Sequence, residues 1–355
     1  MARRALGPAT MAVVTALSSA VEGLGETGLL VACSGGADSL ALLGGAAELA
    51  RRGRPVRCAT VDHGLQPGSA ERAAEVAAVS ADLGVPCDVL AVTVEQTAAG
   101  LEADARTARY AALDRAALAG DPDAAVPTYG PQGRRGDIPS AQSQAVDWNR
   151  ASGQEPATVL LGHTLDDQAE TVLLGLARGS GARSLSGMAA RRTSGAGVTH
   201  LRPLLGLRRA DTEAACAELG LQPWHDPMND DPTYARVRAR RTVLPTLENQ
   251  LGPGIAVALA RTAEMLREDA DALDDLAGPD HFVGPELDVD DLDHRPALRR
   301  RQLRAWLQAN GAVEPSRRHI LAVEAMVTDW RGQKAVDVPR VRVVRRAQRL
   351  VVVTD

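Results

Sequence analysis

At 355 residues the chain is long enough for two domains, each with its own core, and its net charge of −5 carries no message by itself. No apolar run approaches the roughly 18 residues of a membrane span, and no apolar leader core precedes residue 30, which predicts a soluble, cytoplasmic protein. The four cysteines, Cys33, Cys58, Cys87 and Cys216, lie far apart without a Cys-x-x-Cys pair or a histidine at zinc spacing, so they read as buried thiols of a reducing cytosol.

The apolar run Leu29–Cys33 predicts a strand. Ser34-Gly35-Gly36-Ala37-Asp38-Ser39 follows it and opens an Ala/Leu-rich helical stretch. Strand, glycine turn and helix in that order make a phosphate cradle. The glycines let backbone N–H groups approach an anion, Ser34 and Ser39 add hydroxyls, and the helix offers its positive end. The Gly-Lys-Ser/Thr ending of a Walker loop is missing, and a carboxylate, Asp38, stands at the helix start instead. An acid beside a polyphosphate makes sense as a Mg²⁺ ligand. The plainer alternative is a turn that only caps a helix.

Further strand-like runs at Val56–Val61, Val85–Val94, Thr158–Gly162 and Val198–Leu201 alternate with helical periodicity at Ala70–Leu83, Leu101–Leu118 and Gln168–Ala177. The pattern predicts an α/β fold: a doubly wound, mainly parallel sheet with helices on both faces and its ligands at the carboxyl ends of the strands. Three chemical segments fall directly after strand runs, the loop 34–39, Asp62-His63-Gly64 and Gly162-His163. Asp62 and His63 stand near the phosphates, with an adenine on the backbone edge, or they cap a polar turn. Arg106 and Arg109 share a helix face and reach a triphosphate or RNA, or pair with Glu102 or Asp104. Residues 120–157, rich in Gly, Pro, Asp, Ser and Gln, read as a surface insertion.

In Gly162 to Thr171, Asp167 and Glu170 stand three apart on one helical face beside His163. Such a pair binds Mg²⁺, or orients an incoming ammonium and takes up its proton; the competing reading is a capping box of Asp167 with Glu170. The acidic, proline-bounded turn at 226–232 leads into Arg236, Arg238, Arg240 and Arg241, a cluster suited to phosphate by bidentate bonding, or a merely solvated helix start. A second, mostly helical domain is expected over 249–355 after a catalytic domain of 1–248. Its clearest helices are Ile255–Ala270 and Ala297–Gln308, and it ends in a short hairpin, Ala335–Val338 with Val341–Val353. From Arg295 to Arg346 there are 13 Arg/Lys against 4 Asp/Glu, near +9, enough to bind a phosphate backbone unless it is only a solvated face.

The loop 34–39 resembles the pyrophosphatase loop of the N-type ATP pyrophosphatases, which cleave ATP between its α- and β-phosphates. Together with Asp62-His63-Gly64-Leu65, Ala105-Arg106 to Tyr110, Gly162 to Thr171, Arg178-Gly179-Ser180-Gly181, Arg202-Pro203-Leu204-Leu205 and the block 226–245, in this order, it makes residues 27 to 250 similar to the tRNA(Ile)-lysidine synthetases. The resemblance implies an adenine nucleotide alpha hydrolase-like fold and a two-step reaction on tRNA(Ile) with a CAU anticodon. ATP adenylates the carbon-2 oxygen of the wobble cytidine, and the ε-amine of free L-lysine then displaces AMP to give lysidine.

By the same resemblance, Ser34, Gly35, Gly36, Ala37, Asp38, Ser39, Asp62, His63, Gly162 and His163 address ATP, with Asp38 on Mg²⁺. Asp167 and Glu170 address lysine or metal, and Arg106 and Arg236 contact phosphate or the activated base. The arginine cluster and the basic C-terminal segment, by their charge, put Arg238, Arg240, Arg241, Arg299, Arg300 and Arg304 on tRNA. The chain departs from the family pattern at Val237, where Arg-Asn is usual, in the insertion at 120–157, and in lacking the further C-terminal domain of longer members. The rivals are a tRNA thiolase, whose paired cysteines are missing, a small-molecule amide ligase, whose glutaminase domain is missing, and a noncatalytic RNA-binding protein, which has no use for the acids. Monomer and homodimer both stay open.

Overall fold

The structure is a computed structural model describing residues 6–66, 68–94, 97, 100–119, 156–278 and 282–353. It divides into two compact units, one running to residue 180 with 187–263, the other comprising 181–186 and 264 onward. The sequence puts the boundary at 248/249, whereas the division lies inside the helix Ile255–Ala277. The first turns of that helix carry Ile255, Ala256, Leu259 and Ala260, which pack with Leu165, Ala169 and Leu244 in a small apolar cluster of the first unit. The insertion expected over 120–157 lies outside the described residues, apart from its last two positions.

The first unit opens with helix α1 (Pro8–Ala20) and contains a six-stranded sheet: β1 (Leu29–Ala32), β2 (Val56–Asp62), β3 (Cys87–Ala91), β4 (Thr158–Leu161), β5 (Arg191–Thr193) and β6 (Thr199–Leu201), in spatial order β3-β2-β1-β4-β6-β5. All pairings are parallel except the edge pair β5–β6. Helices α2 (Ala37–Ala50), α3 (Ser69–Asp82) and α4 (Leu101–Leu118) connect or follow the first three strands. Strand β1 shows why its run reads as uniformly apolar. Leu29 and Val31 face one core with Leu40, Leu43 and Ala47 of α2, while Leu30 faces the other with Leu113 and Ala117 of α4. All four thiols are free and sit in or against the first of these cores.

The chain leaves β1 toward β2 and β3, then returns on the other side of β1 as β4. Open α/β sheets bind ligands at such a reversal, outside the carboxyl ends of the two strands. The turns that leave β1 and β4 carry residues 34–36 and 162–164.

The second unit holds a four-stranded antiparallel sheet, larger than the hairpin expected from sequence. Its strands are β7 (Glu286–Asp288), β8 (Val336–Val338), β9 (Val341–Arg346) and β10 (Arg349–Val353), in order β7-β10-β9-β8. Helices Pro296–Ala309 and Arg317–Thr328 share its core through Leu303, Trp306, Leu307, Ile320, Val323 and Met326, against Val343 and Leu350. Among the described residues no helix is long and apolar enough to cross a membrane.

Candidate active site

The loop after β1 is held by its own serines. Ser39, 8% exposed, accepts the Ser34 amide at 3.1 Å and donates to the Gly36 carbonyl at 2.9 Å. Gly35 takes φ +84°, the left-handed region open to glycine. Gly36 is the N-cap of α2 and supplies no side-chain cap, so the orphan amides of that first turn face outward with the positive end of the helix behind them. Ala37 and Asp38 form the turn itself. The β4 turn packs directly on this start: a Cβ on Gly162 would stand 2.9 Å from the Asp38 carbonyl oxygen and 3.0 Å from the Ser39 nitrogen. Only hydrogen fits there.

Helix α5 (Leu165–Ala177) follows the β4 turn. Its capping box uses Thr164 and Asp167, one turn before the Asp167–Glu170 box that the sequence offers. Asp167 Oδ2 accepts the Thr164 amide at 2.8 Å and its hydroxyl at 3.1 Å. Glu170 is fully buried. Its partners come from further along the chain, where a short helix (Ala235–Arg238) runs into a π-helical turn (Ala239–Val243). Arg236 and Arg240, four apart, therefore point to one side. Arg240 grips Glu170 with two bonds of 2.6 and 3.1 Å and stands 3.5 Å from Asp167, while Arg236 lies 3.6 Å from Glu170 and donates to Thr171 at 3.2 Å.

A residue outside every sequence motif completes the cluster. Arg209 opens helix α6 (Arg209–Leu219) and meets Asp167 at 2.9 Å, Asp38 at 3.5 Å and Glu170 at 3.6 Å. Thr212, one turn on, donates to the other Asp38 oxygen, and Arg208 pairs with Asp166 at 3.0 Å. Four carboxylates thus face four guanidinium groups. Burial pushes the Asp38 carboxyl above its usual range against the pull of Thr212 and Arg209. Burial acts on Asp167 too, but there Arg209, the Thr164 amide, His163 and Arg240 outweigh it and hold the carboxyl below its usual range.

The other side of the crevice has the opposite character. Arg106 and Arg109 on α4 lie over the Tyr110 ring, with guanidinium carbons 5.2 and 5.8 Å from its centroid, and neither has a carboxylate partner among the described residues. The Asp104 carboxylate, offered by the sequence as their partner, binds the amide and hydroxyl of Thr97 instead, at 2.7 Å each. Arg202, buried after β6, reaches the Tyr110 hydroxyl at 3.5 Å and the Ala189 carbonyl at 2.7 Å, leaving its Nε buried without a hydrogen-bond partner. The Nδ1 atoms of His63 and His163 are also buried and unpartnered. Burial, then Arg202, Arg106 and Arg109, push His163 down to about 3 despite Asp167. Burial and Arg109 lower His63 as well, while Asp62 spends one oxygen on the Gly64 amide at 2.9 Å as a turn cap. Cations without counter-anions, beside buried nitrogens without partners, suit an anionic ligand.

Of the arginines that charge assigns to RNA, Arg240 is engaged by Glu170. Arg241 pairs with Asp230, and Arg238 donates to the Pro232 and Thr233 carbonyls at 2.7 Å each. In the second unit Arg299 is buried and spends its guanidinium on Glu324 and two carbonyls. Arg300 also pairs with Glu324, whereas Arg304 is exposed and makes one bond, to the Pro315 carbonyl.

Asp38 suits a nucleotide-borne Mg²⁺. No group of three or more His, Cys, Asp or Glu side chains among the described residues forms a metal cage. An octahedral ion that keeps its waters and takes phosphate oxygens needs only one or two carboxylates. The partly exposed Asp38 at the phosphate loop offers one.

A PP-loop domain model matches residues 10–126 and 148–247, and a TilS substrate binding domain model matches 287–351. The tRNA(Ile)-lysidine synthase of Leifsonia xyli subsp. xyli is 48% identical over 329 residues, 90% of this chain and 87% of that protein. The protein of the same name from Salinispora tropica is 46% identical over 357 residues, covering 98% and 97%. Among solved structures, the U34-tRNA thiolase NcsA from Methanococcus maripaludis gives a TM-score of 0.50 at 15% identity over 73% of this chain and 78% of that one, a likeness of fold alone. With a phosphate loop, an acid cluster and relatives matching almost end to end, the chain belongs to the tRNA(Ile)-lysidine synthase family.

Proposed function

We propose that this cytoplasmic enzyme modifies the wobble cytidine of a CAU-anticodon tRNA(Ile), using ATP and free L-lysine. The observation that carries the reading is the backbone contact at Gly162, which sets the phosphate loop of α2 and the acid-bearing helix α5 side by side at the carboxyl ends of β1 and β4. Two half-reactions that pass through one adenylated cytidine need such neighbours.

In the first half-reaction the α2 amides and the loop hydroxyls hold the triphosphate, and the cytidine carbon-2 oxygen attacks the α-phosphorus while pyrophosphate leaves. When bound at Asp38, Mg²⁺ would supply charge neutralisation for the phosphates. Arg106, Arg109, Arg202 and Arg236 take the negative charge of the polyphosphate or of the RNA, and the unpartnered nitrogens of His63 and His163 serve as hydrogen-bonding positions. In the second, the lysine ammonium gives a proton to solvent, the resulting ε-amine attacks carbon 2, the bond from carbon 2 to its oxygen breaks, AMP departs with that oxygen, and the nitrogen's surplus proton also passes to solvent. Asp167, held ionised by Arg209 and Arg240, is a poor proton acceptor and a good anchor for an ammonium, so its role here is orientation. Exposed arginines of the second unit, Arg304, Arg317 and Arg318 among them, meet the RNA backbone.

The decisive experiment supplies ATP, Mg²⁺ and labelled lysine with either CAU-anticodon isoleucine tRNA or methionine tRNA. Label should enter only the first, with AMP released in equal amount. Asp38→Ala should release no AMP. Labelling of both tRNAs or of neither would sink the assignment.

A further inference from the structure

Arg209 occupies the middle of the acid cluster. Its three guanidinium nitrogens each face a different carboxylate: Nη2 the Asp167 Oδ1 at 2.9 Å, Nε the Asp38 Oδ2 at 3.5 Å and Nη1 the Glu170 Oε1 at 3.6 Å. The backbone anchors it as well. Its amide donates to Asp166 Oδ2 at 2.8 Å, and the helix it opens is capped by Asp211, whose carboxylate accepts the Arg208 amide at 2.8 Å. The same turn supplies Thr212 to Asp38, so residues 209–212 present both protein partners of the Asp38 carboxylate.

We infer that Arg209 is a positioning residue that acts as a resident cation among these acids and makes divalent-metal binding at Asp38 conditional on nucleotide. A bare divalent ion approaching Asp38 meets a fixed positive charge at ion-pair distance and has to strip partners from the acids that surround it. An ion carried on a polyphosphate brings its own negative charge, so it replaces Arg209 at Asp38 without leaving the cluster overcharged. The Asp38 contact is the natural point of exchange. It is long, 3.5 Å, and Asp38 is partly exposed, while the 2.9 Å bond to Asp167 keeps the guanidinium in place. The inference rests on the ATP-using reading above, though its test requires neither tRNA nor lysine.

The test measures Mn²⁺ binding to the purified full chain by electron paramagnetic resonance, first without nucleotide and then with a non-hydrolysable ATP analogue. Wild type should bind Mn²⁺ at least tenfold more tightly with the analogue. Arg209→Gln should bind one Mn²⁺ without nucleotide at least tenfold more tightly than wild type, a gain that Asp38→Asn in the same chain removes. Arg209→Lys, which keeps the charge, should behave as wild type. Equal Mn²⁺ affinity in Arg209→Gln and wild type overturns the inference. Should Arg209→Gln fail to fold, wild type decides alone: Mn²⁺ affinity unchanged by the analogue overturns it. A chain that passes these measurements yet makes no lysidine would refute the functional reading and leave the role of Arg209 standing.

Discussion

Arg240→Gln separates a strut from an RNA contact. Glu170 is fully buried and Arg240 is its closest partner, at 2.6 and 3.1 Å, with the arginine side chain 26% exposed. Removing one partner of a buried ion pair costs about 3–5 kcal/mol because the other charge is left uncompensated. Here Arg209 and Arg236 remain at 3.6 Å from Glu170, and the partial exposure of Arg240 lets water assist. The cost should therefore fall to about 2–3 kcal/mol. For a unit of this size each kcal/mol moves the melting temperature by about 2–4 °C, so Arg240→Gln should melt roughly 5–10 °C below wild type. Thermal unfolding of Arg240→Gln, Glu170→Gln and the double variant forms a cycle, in which the double variant should cost clearly less than the sum of the singles. The salt dependence of tRNA binding should keep its slope, since Arg240 faces a carboxylate and not a phosphate. Wild-type melting of Arg240→Gln together with a flattened salt slope would refute the strut.

Gly162→Ala places a methyl against the Asp38 and Ser39 backbone, so affinity for a fluorescent ATP analogue should fall at least tenfold; unchanged binding would mean that the two turns separate easily. His163 is neutral in the folded state down to about pH 3, against an ordinary value of 6.5. The unfolded chain therefore binds the extra proton between those values, and stability should rise with pH across that window and level off above it. Urea unfolding at pH 5 and pH 7 should differ more for wild type than for His163→Gln, and equal differences would contradict a neutral buried imidazole. In the second unit, Arg299→Leu strips Glu324 of a buried partner and should lower the melting temperature. Arg317→Ala with Arg318→Ala, both exposed, should leave melting unchanged and reduce the salt slope of tRNA binding; the reverse pattern would exchange their roles.

The first unit was legible where local pattern and tertiary role coincide. Leu29–Cys33 reads as a buried strand because both of its faces meet a core, and the glycine turn after it reads as a phosphate loop because φ +84° at Gly35 and the uncapped start of α2 are local requirements. Elements whose stability comes from elsewhere were not legible. The edge strand β5 is Arg191-Arg192-Thr193, exposed throughout, and exists only because β6 offers it a partner. Helix α1 has a weakly amphipathic Ala/Val sequence and owes its place to α2 and α6, with Glu218 of α6 accepting the Ala9 and Thr10 amides from far along the chain.

The same distinction runs through the site. Asp38, Asp167 and Glu170 stand out in sequence because a loop and one helix face bring them forward, but nothing local tells what neutralises them. Arg209 ends the Leu207-Arg208-Arg209 stretch, which carries no motif, and Arg240 lies in a run of arginines that charge counting assigns to RNA. Each acquires its role from an acid dozens of residues away. The asymmetry has a physical cause: a buried carboxylate must be compensated, so an acidic motif predicts that cations will meet it without naming which ones. The acid-free side obeys the converse. Arg106, Arg109 and Arg202 gather around Tyr110, which stacks on His200 at 5.4 Å while His200 bonds Asp114 at 2.6 Å. Their positive charge finds no carboxylate among the described residues, and both the nucleotide and the RNA of the proposed reaction are anions that would compensate it.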